Sequence, residues 1–191
     1  VIKAHYESLE SRKAELEELI LALAAPYQQE LAILQTAPGI SSGFTAIGII
    51  SEIGTNMEAF PSAKHLCSWA GLTPTNNESA GKKKSVRVSK AGCYIKPLLV
   101  QCANAVVKSK KHPEIRNRYL RLKKRRGHKK AIIAVARMLL TALYHMLKNG
   151  ENYNAELYRK SDLPPIDCEI TVEQALIIAR NQGYRIKSAT A

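Results

Sequence analysis

His128-Lys129-Lys130-Ala131-Ile132-Ile133-Ala134-Val135-Ala136-Arg137-Met138-Leu139-Leu140-Thr141-Ala142-Leu143-Tyr144-His145-Met146-Leu147-Lys148 is the stretch that decides the fold. Ile132, Ile133, Ala136, Leu139, Leu140, Leu143 and Leu147 recur at helical spacing on one broad face, and Gly150 follows as a stop. A helix with so wide an apolar stripe needs several partners, and the flanking sequence supplies helical candidates rather than strands. Upstream, Pro113 and Gly127 bracket a strongly basic helix over residues 112–126. Before it, Ser89 is placed to cap a helix from Lys90 to Val107, with Pro97 inside it as a kink.

Further out, Pro38-Gly39-Ile40-Ser41-Ser42-Gly43 joins a helix at about 27–36 to the apolar segment Phe44–Ile53. Gly39 can take positive φ to leave the first helix, and Ser41 or Ser42 can cap the second. Pro61-Ser62 opens a short helix through Ala70 that contains the only tryptophan, Trp69. Residues 72–88 have no clear periodicity and read as a loop or a short basic hairpin. Residues 5–24 place Leu9, Leu16, Leu19, Ile20 and Leu23 on one stripe, with glutamates between them, and Pro26 ends the pattern. That stripe reads as the end of a coiled coil truncated at Val1, so the chain reads as a piece of a longer protein.

No segment alternates well enough to be a firm strand. The expectation is a mostly α fold: a helical domain with a helix-hairpin-helix-like element, preceded by the end of a coiled-coil-like helix. Its parts are residues 1–30 as linker helix, 31–150 as the main domain, and 151–191 as a tail. In the tail, Thr171-Val172-Glu173-Gln174 is a capping box opening a helix to about Asn181.

The 191 residues carry a formal net charge of +13. Residues 82–130 hold eighteen Lys/Arg against one acid, Glu114, whereas the rest of the chain holds 11 bases and 15 acids. Ordinary helix surfaces intersperse both signs, so this segment is built to meet a polyanion. The basic stretches lack the Trp/Phe-rich apolar face of a membrane-lying helix, which favours nucleic acid over an acidic membrane. No uninterrupted apolar run reaches membrane-spanning length, and no signal segment opens the chain. Cys67, Cys93, Cys102 and Cys168 form no CxxC pair and no zinc spacing, so they read as reduced cytosolic thiols.

Three constellations can carry chemistry. The Pro38–Gly43 turn presents backbone N–H groups at a helix start, which suits a phosphate oxygen; an ordinary αα-hairpin loop would look the same. The cationic segment offers Lys82, Lys83, Lys84, Arg87, Lys90, Arg116, Arg121, Lys124, Arg125, Arg126, Lys129 and Lys130 to a backbone of phosphates. Ser79, just before three lysines, is a possible nucleophile, its oxyanion and leaving group stabilised by positive charge. By residue type alone it is a turn serine, and Ser85 and Ser89 are equally eligible. No cluster of acids able to hold Mg²⁺ lies in the cationic region, and no Walker loop or HExxH is present.

Three segments taken in order narrow these readings. They are Leu34-Gln35-Thr36-Ala37-Pro38-Gly39-Ile40 with Ser51-Glu52-Ile53-Gly54, then Phe60-Pro61-Ser62-Ala63-Lys64-His65-Leu66 through Ala70-Gly71-Leu72-Thr73-Pro74, then Ser79 with Gly81, Ser89-Lys90-Ala91-Gly92 and Leu98-Leu99-Val100-Gln101. The series resembles the C-terminal domain of the IS110/IS1111/IS116/IS902 family of insertion-sequence transposases. It covers residues 31–107 strongly and continues more loosely to about 149.

The resemblance implies a bacterial, cytoplasmic recombinase with an N-terminal RuvC-like domain whose DEDD acids hold Mg²⁺, a coiled-coil linker and this helical domain. It implies Ser79 as the nucleophile that links covalently to DNA. Pro38, Gly39, Ile40 and Gly43 fall in the helix-hairpin-helix-like contact. DNA and a guide (bridge) RNA are the implied partners; homo-oligomerisation through the N-terminal helix is read from the leucine stripe of residues 5–24 itself. No cofactor is expected in this chain itself, and the isolated chain is expected to be inactive. Two positions depart from the family pattern: Ser41 replaces a glycine in the hairpin, and Ala80 separates Ser79 from Gly81. The alternative is a non-catalytic DNA- or RNA-binding module of helix-hairpin-helix type.

Overall fold

In the computed structural model the longest apolar helix, α7 (His128–Asn149), is the axis on which the others pack. The structure describes residues 2–74, 77–79, 82–85, 87–156 and 176, with backbone alone for 77–79 and 82–85. Ahead of α7 run α1 (Ile2–Ala24), a 3₁₀ turn (Ala25–Tyr27), α2 (Gln28–Gln35), α3 (Gly43–Ile53), a second 3₁₀ turn (Met57–Ala59) and α4 (Ala63–Trp69). A two-stranded antiparallel hairpin follows, β1 (Asn77–Ser79) and β2 (Lys82–Ser85), then α5 (Ile95–Lys108) and α6 (Pro113–Arg126). The fold is mostly α, as its periodicities imply.

The face of α7 anticipated from spacing is the buried one. Ile132, Ala136, Leu139, Leu140 and Leu143 are buried, Ile133 and Leu147 are half-buried, and Ala131, Val135, Tyr144 and Met146 join them. Helices α2, α4, α5 and α6 all pack on α7. Its polar atoms are used inside the packing. The Tyr144 hydroxyl donates to the Phe60 carbonyl (3.1 Å), and the Cys67 thiol lies 3.5 Å from the Thr141 hydroxyl. By length and apolarity α7 could cross a membrane, but here its apolar residues form the core.

Two local expectations are corrected. Ser89 does not cap a helix from Lys90: α5 begins only at Ile95, because Gly92 adopts φ +66 in close contact with Ala70 and interrupts any helix there. Pro97 therefore falls in the first turn of α5, where its missing N–H would have had no helical partner, and no interior kink is required. Ser42 occupies the start of α3 as expected, yet its hydroxyl makes no capping bond; its carbonyl accepts from the Thr45 and Ala46 N–H groups instead. Residues 72–88, left open between loop and hairpin, contain the hairpin.

Helix α1 contrasts with the rest. Leu9, Leu16, Leu19 and Leu23 are 52%, 59%, 60% and 77% exposed, and Ile20, Leu23 and Ala24 at its C-terminal end adjoin other elements. There Leu23 and Ala24 border an open apolar groove with Tyr27, Leu31, Ile47 and Ile50.

The chain divides into two compact units, residues 1–153 and 154–191. In the second, the Asn154 side chain accepts from the Glu156 N–H (2.8 Å), and Leu176 is helical. The capping box at Thr171–Gln174 lies outside the described residues.

Candidate nucleic-acid interface and serine hairpin

Helices α6 and α7 meet at Gly127, whose φ of +79 turns the chain between them. The corner brings the basic last turn of α6 (Lys123, Lys124, Arg125, Arg126) next to the basic first turn of α7 (Lys129, Lys130), and all six side chains are exposed. Arg116 and Arg118 are exposed further along α6, and Arg121 is half-buried. Tyr119, buried against the core, ties the corner together. Its hydroxyl is 2.8 Å from His128 Nδ1, the two rings meet edge to face, and the Lys123 ammonium lies 5.9 Å from the Tyr119 ring centroid.

Glu114, the single acid of the basic segment, is folded inward. It is at the second position of α6, its carboxylate 3.4 Å from His112 Nδ1, with side-chain exposures of 16% for Glu114 and 26% for His112. An acid there complements the helix dipole, as do the cations in the last turn of α6. Lys129 and Lys130 do the opposite, since positive charge at a helix N-terminus is unfavourable by about 0.3–1 kcal/mol each. Helix stability therefore does not account for these two lysines.

The turn between α2 and α3 is packed inward. Pro38 is buried, Ile40 is 1% exposed, and Gly39 has φ +82. A Cβ on Gly39 would lie 2.5 Å from the Cys102 carbonyl oxygen of α5. The glycine is therefore demanded by an internal close approach as well as by its φ. What this element offers outward is the start of α3 around Gly43 and the half-exposed Phe44, not the Pro38 and Ile40 side chains.

In the hairpin, strand pairing sets Ser79 opposite Lys82 and Glu78 opposite Lys83, with a register shift between Asn77 and Glu78. Side chains of Ser79, Lys82, Lys83 and Lys84 lie outside the described residues. The return arm carries Arg87 and Lys90, both exposed. Below the ladder, Pro74 and Val88 form an isolated bridge. Lower still, the two arms touch backbone to backbone. A Cβ on Gly71 would be 2.4 Å from the Ala91 carbonyl oxygen, and one on Gly92 would be 2.4 Å from that of Ala70. The Lys96 ammonium donates to the Ser89 carbonyl at 2.6 Å, and the Ser89 hydroxyl accepts from the Ala91 N–H at 3.3 Å.

Sequence reasoning counted Lys96 only as one more charge and took Gly92 for part of a helix. The available signal was a glycine within an apparent helix, which commonly marks a boundary or a close approach. Its partner, Ala70, is 22 positions earlier and is not legible locally.

Among the described residues no group of three or more His, Cys, Asp or Glu side chains converges as a metal site. Of the thiols, Cys67 and Cys102 are buried and Cys93 is exposed; burial pushes the Cys102 thiol pKa up.

The described residues thus form a mostly helical domain with a cationic corner and a hairpin whose base is packed backbone against backbone. Residues 31–120 match the model of the transposase IS116/IS110/IS902 family. The chain is also similar to the insertion element IS110 uncharacterized 43.6 kDa protein of Streptomyces coelicolor (strain ATCC BAA-471 / A3(2) / M145). They are 29% identical over 127 residues, or 65% of this chain. The match spans only 30% of that relative's length.

Proposed function

We propose that this chain is the nucleic-acid-binding, serine-bearing part of an IS110-type transposase that cuts and rejoins DNA. The observation that carries the reading is the α6–α7 corner: Lys123, Lys124, Arg125, Arg126, Lys129 and Lys130 face outward while Glu114 is turned in. Such a surface neutralises successive phosphates and releases their counterions, giving strong, salt-dependent, largely sequence-independent affinity. Base pairing with a guide RNA would then supply sequence choice.

In the proposed chemistry Ser79 loses its hydroxyl proton, its Oγ bonds to a DNA phosphorus, and one deoxyribose oxygen leaves as a hydroxyl. One ester is exchanged for another, so no oxidant or nucleotide is consumed and the step can run backwards to rejoin strands. Lys82, Lys83, Lys84 and Arg87 belong to the same hairpin and supply positive charge for the crowded phosphate. When bound by a RuvC-like domain elsewhere in the polypeptide, Mg²⁺ would polarise phosphate oxygens. The reaction belongs in the bacterial cytoplasm, where the DNA is.

Helix α1 is proposed to pair with a second copy through its exposed Leu9, Leu16, Leu19 and Leu23. In sedimentation, removal of residues 1–26 should then convert an oligomer to a monomer; an unchanged state in both forms ends that part of the reading. The main test is Ser79→Ala in the complete transposase. Strand transfer should vanish while nucleic-acid binding persists with an unchanged salt slope. Normal recombination by Ser79→Ala would leave only a non-catalytic binding module.

A further inference from the structure

We infer that Gly71, Gly92 and Lys96 are positioning residues that clamp the base of the serine hairpin and so fix where Ser79 meets DNA. The inference rests on the reading of Ser79 as the nucleophile.

The hairpin leaves the domain at Ala70–Pro74 and returns at Val88–Gly92. Where those arms pass each other the contact is reciprocal: Gly71 abuts the Ala91 carbonyl and Gly92 abuts the Ala70 carbonyl, each too close for any Cβ. Both glycines also have φ of +66, so two independent constraints select glycine at each. The outgoing arm is anchored by Ala70 and Leu72, 0% and 1% exposed, and the return arm runs into Ile95, 0% exposed. Lys96, in the first turn of α5, closes the clamp by donating to the Ser89 carbonyl at 2.6 Å. A lysine evolved only to meet phosphate would project from the surface; this one is half-buried and engaged with the arm itself.

The clamp matters because of the lever it controls. Ser79 lies five residues beyond the Pro74–Val88 bridge, a reach of up to about 17 Å in extended chain. A tilt of about 5° at the base would then move the serine by at most roughly 1.5 Å, and misplacement of about 1 Å in a reacting group can reduce rate on the order of 100-fold. Small slack at Lys96 is therefore amplified at the nucleophile, whereas the α6–α7 corner, on other helices, does not depend on it.

The test uses the complete transposase and a plasmid carrying the parent element's donor and target sites. It reads three quantities: the single-turnover rate of covalent protein–DNA adduct formation at saturating DNA, the DNA dissociation constant, and the melting temperature. Lys96→Met removes the hydrogen bond that closes the clamp without a steric clash and avoids the folding risk of Gly92→Ala. Its adduct rate should fall roughly ten- to a hundred-fold, with affinity within about twofold, while Lys96→Arg, still a donor, restores most of the rate. An unchanged rate in Lys96→Met overturns the inference, as does a loss expressed only as weaker DNA binding, which would make Lys96 a phosphate contact. Ser79→Ala separates the two layers. If it remains active, the nucleophile assignment falls and the clamp falls with it; if it is dead while Lys96→Met is normal, only the clamp falls.

Discussion

The base of the serine hairpin and the α6–α7 corner are both turned by glycines at positive φ, yet they use them differently. At the hairpin base a side chain on Gly71 or Gly92 would penetrate a neighbouring carbonyl at 2.4 Å. At the corner a side chain on Gly127 would meet nothing within 4 Å. One region is packed backbone against backbone, the arrangement suited to holding a reacting group in place. The other is open and crowded with cations, suited to gripping a long, regular polyanion that needs no exact register. Under the proposed function, precision and grip would fall to separate parts of one small helical domain.

The difference can be broken most directly at Gly71. Gly71→Ala combines left-handed backbone strain with a clash against backbone that cannot swing away, so it should lose roughly 2–5 kcal/mol of stability in urea denaturation. A loss under 1 kcal/mol would mean that the arms are not clamped. Gly127→Ala has the φ strain alone and should lose only about 1 kcal/mol in the same assay. Equal losses at the two sites would erase the contrast.

Lys129→Gln with Lys130→Gln should move stability the other way, by up to about 0.3–1 kcal/mol per site, because two cations leave a helix N-terminus. The same pair should flatten the salt slope of DNA binding by roughly 2 if both lysines meet phosphates. A destabilised protein with an unchanged slope would show that these lysines serve the fold. The smallest effect concerns thiols. Burial raises the Cys102 pKa, so less thiolate is present at any given pH, and mapped alkylation at pH 8 should modify Cys93 well before Cys102. By linkage, the unfolded chain releases the Cys102 proton at lower pH than the native one. That contribution is therefore neutral below about pH 8 and destabilising as pH rises beyond 9.

What the sequence could disclose follows from the range of the forces involved. The buried stripe of α7 was legible because one helix face is a local repeat. The charge of residues 82–130 was legible because it is compositional, and the ordered motifs pointed to the family whose model matches residues 31–120. Gly39 could be assigned positive φ from its turn, but not its packing partner, the Cys102 carbonyl, 63 positions later. Helix α5 was begun too early because Lys90–Tyr94 has acceptable helical composition; contact with Ala70 overrides that preference. Two of the quoted motifs, Ala70-Gly71-Leu72-Thr73-Pro74 and Ser89-Lys90-Ala91-Gly92, are explained together by the structure, since each supplies the glycine that the other's backbone requires.

The cationic corner also sets salt against itself. With +13 formal charges and its densest like-charge cluster on one surface, the free domain repels itself at low ionic strength. Added salt should therefore raise its melting temperature through screening while it loosens the grip on nucleic acid. The buffer in which the protein is hardiest alone is the one in which it binds worst. A polyanion, by occupying the folded state's surface, can replace salt as the stabiliser and confer its protection only where the protein is to act.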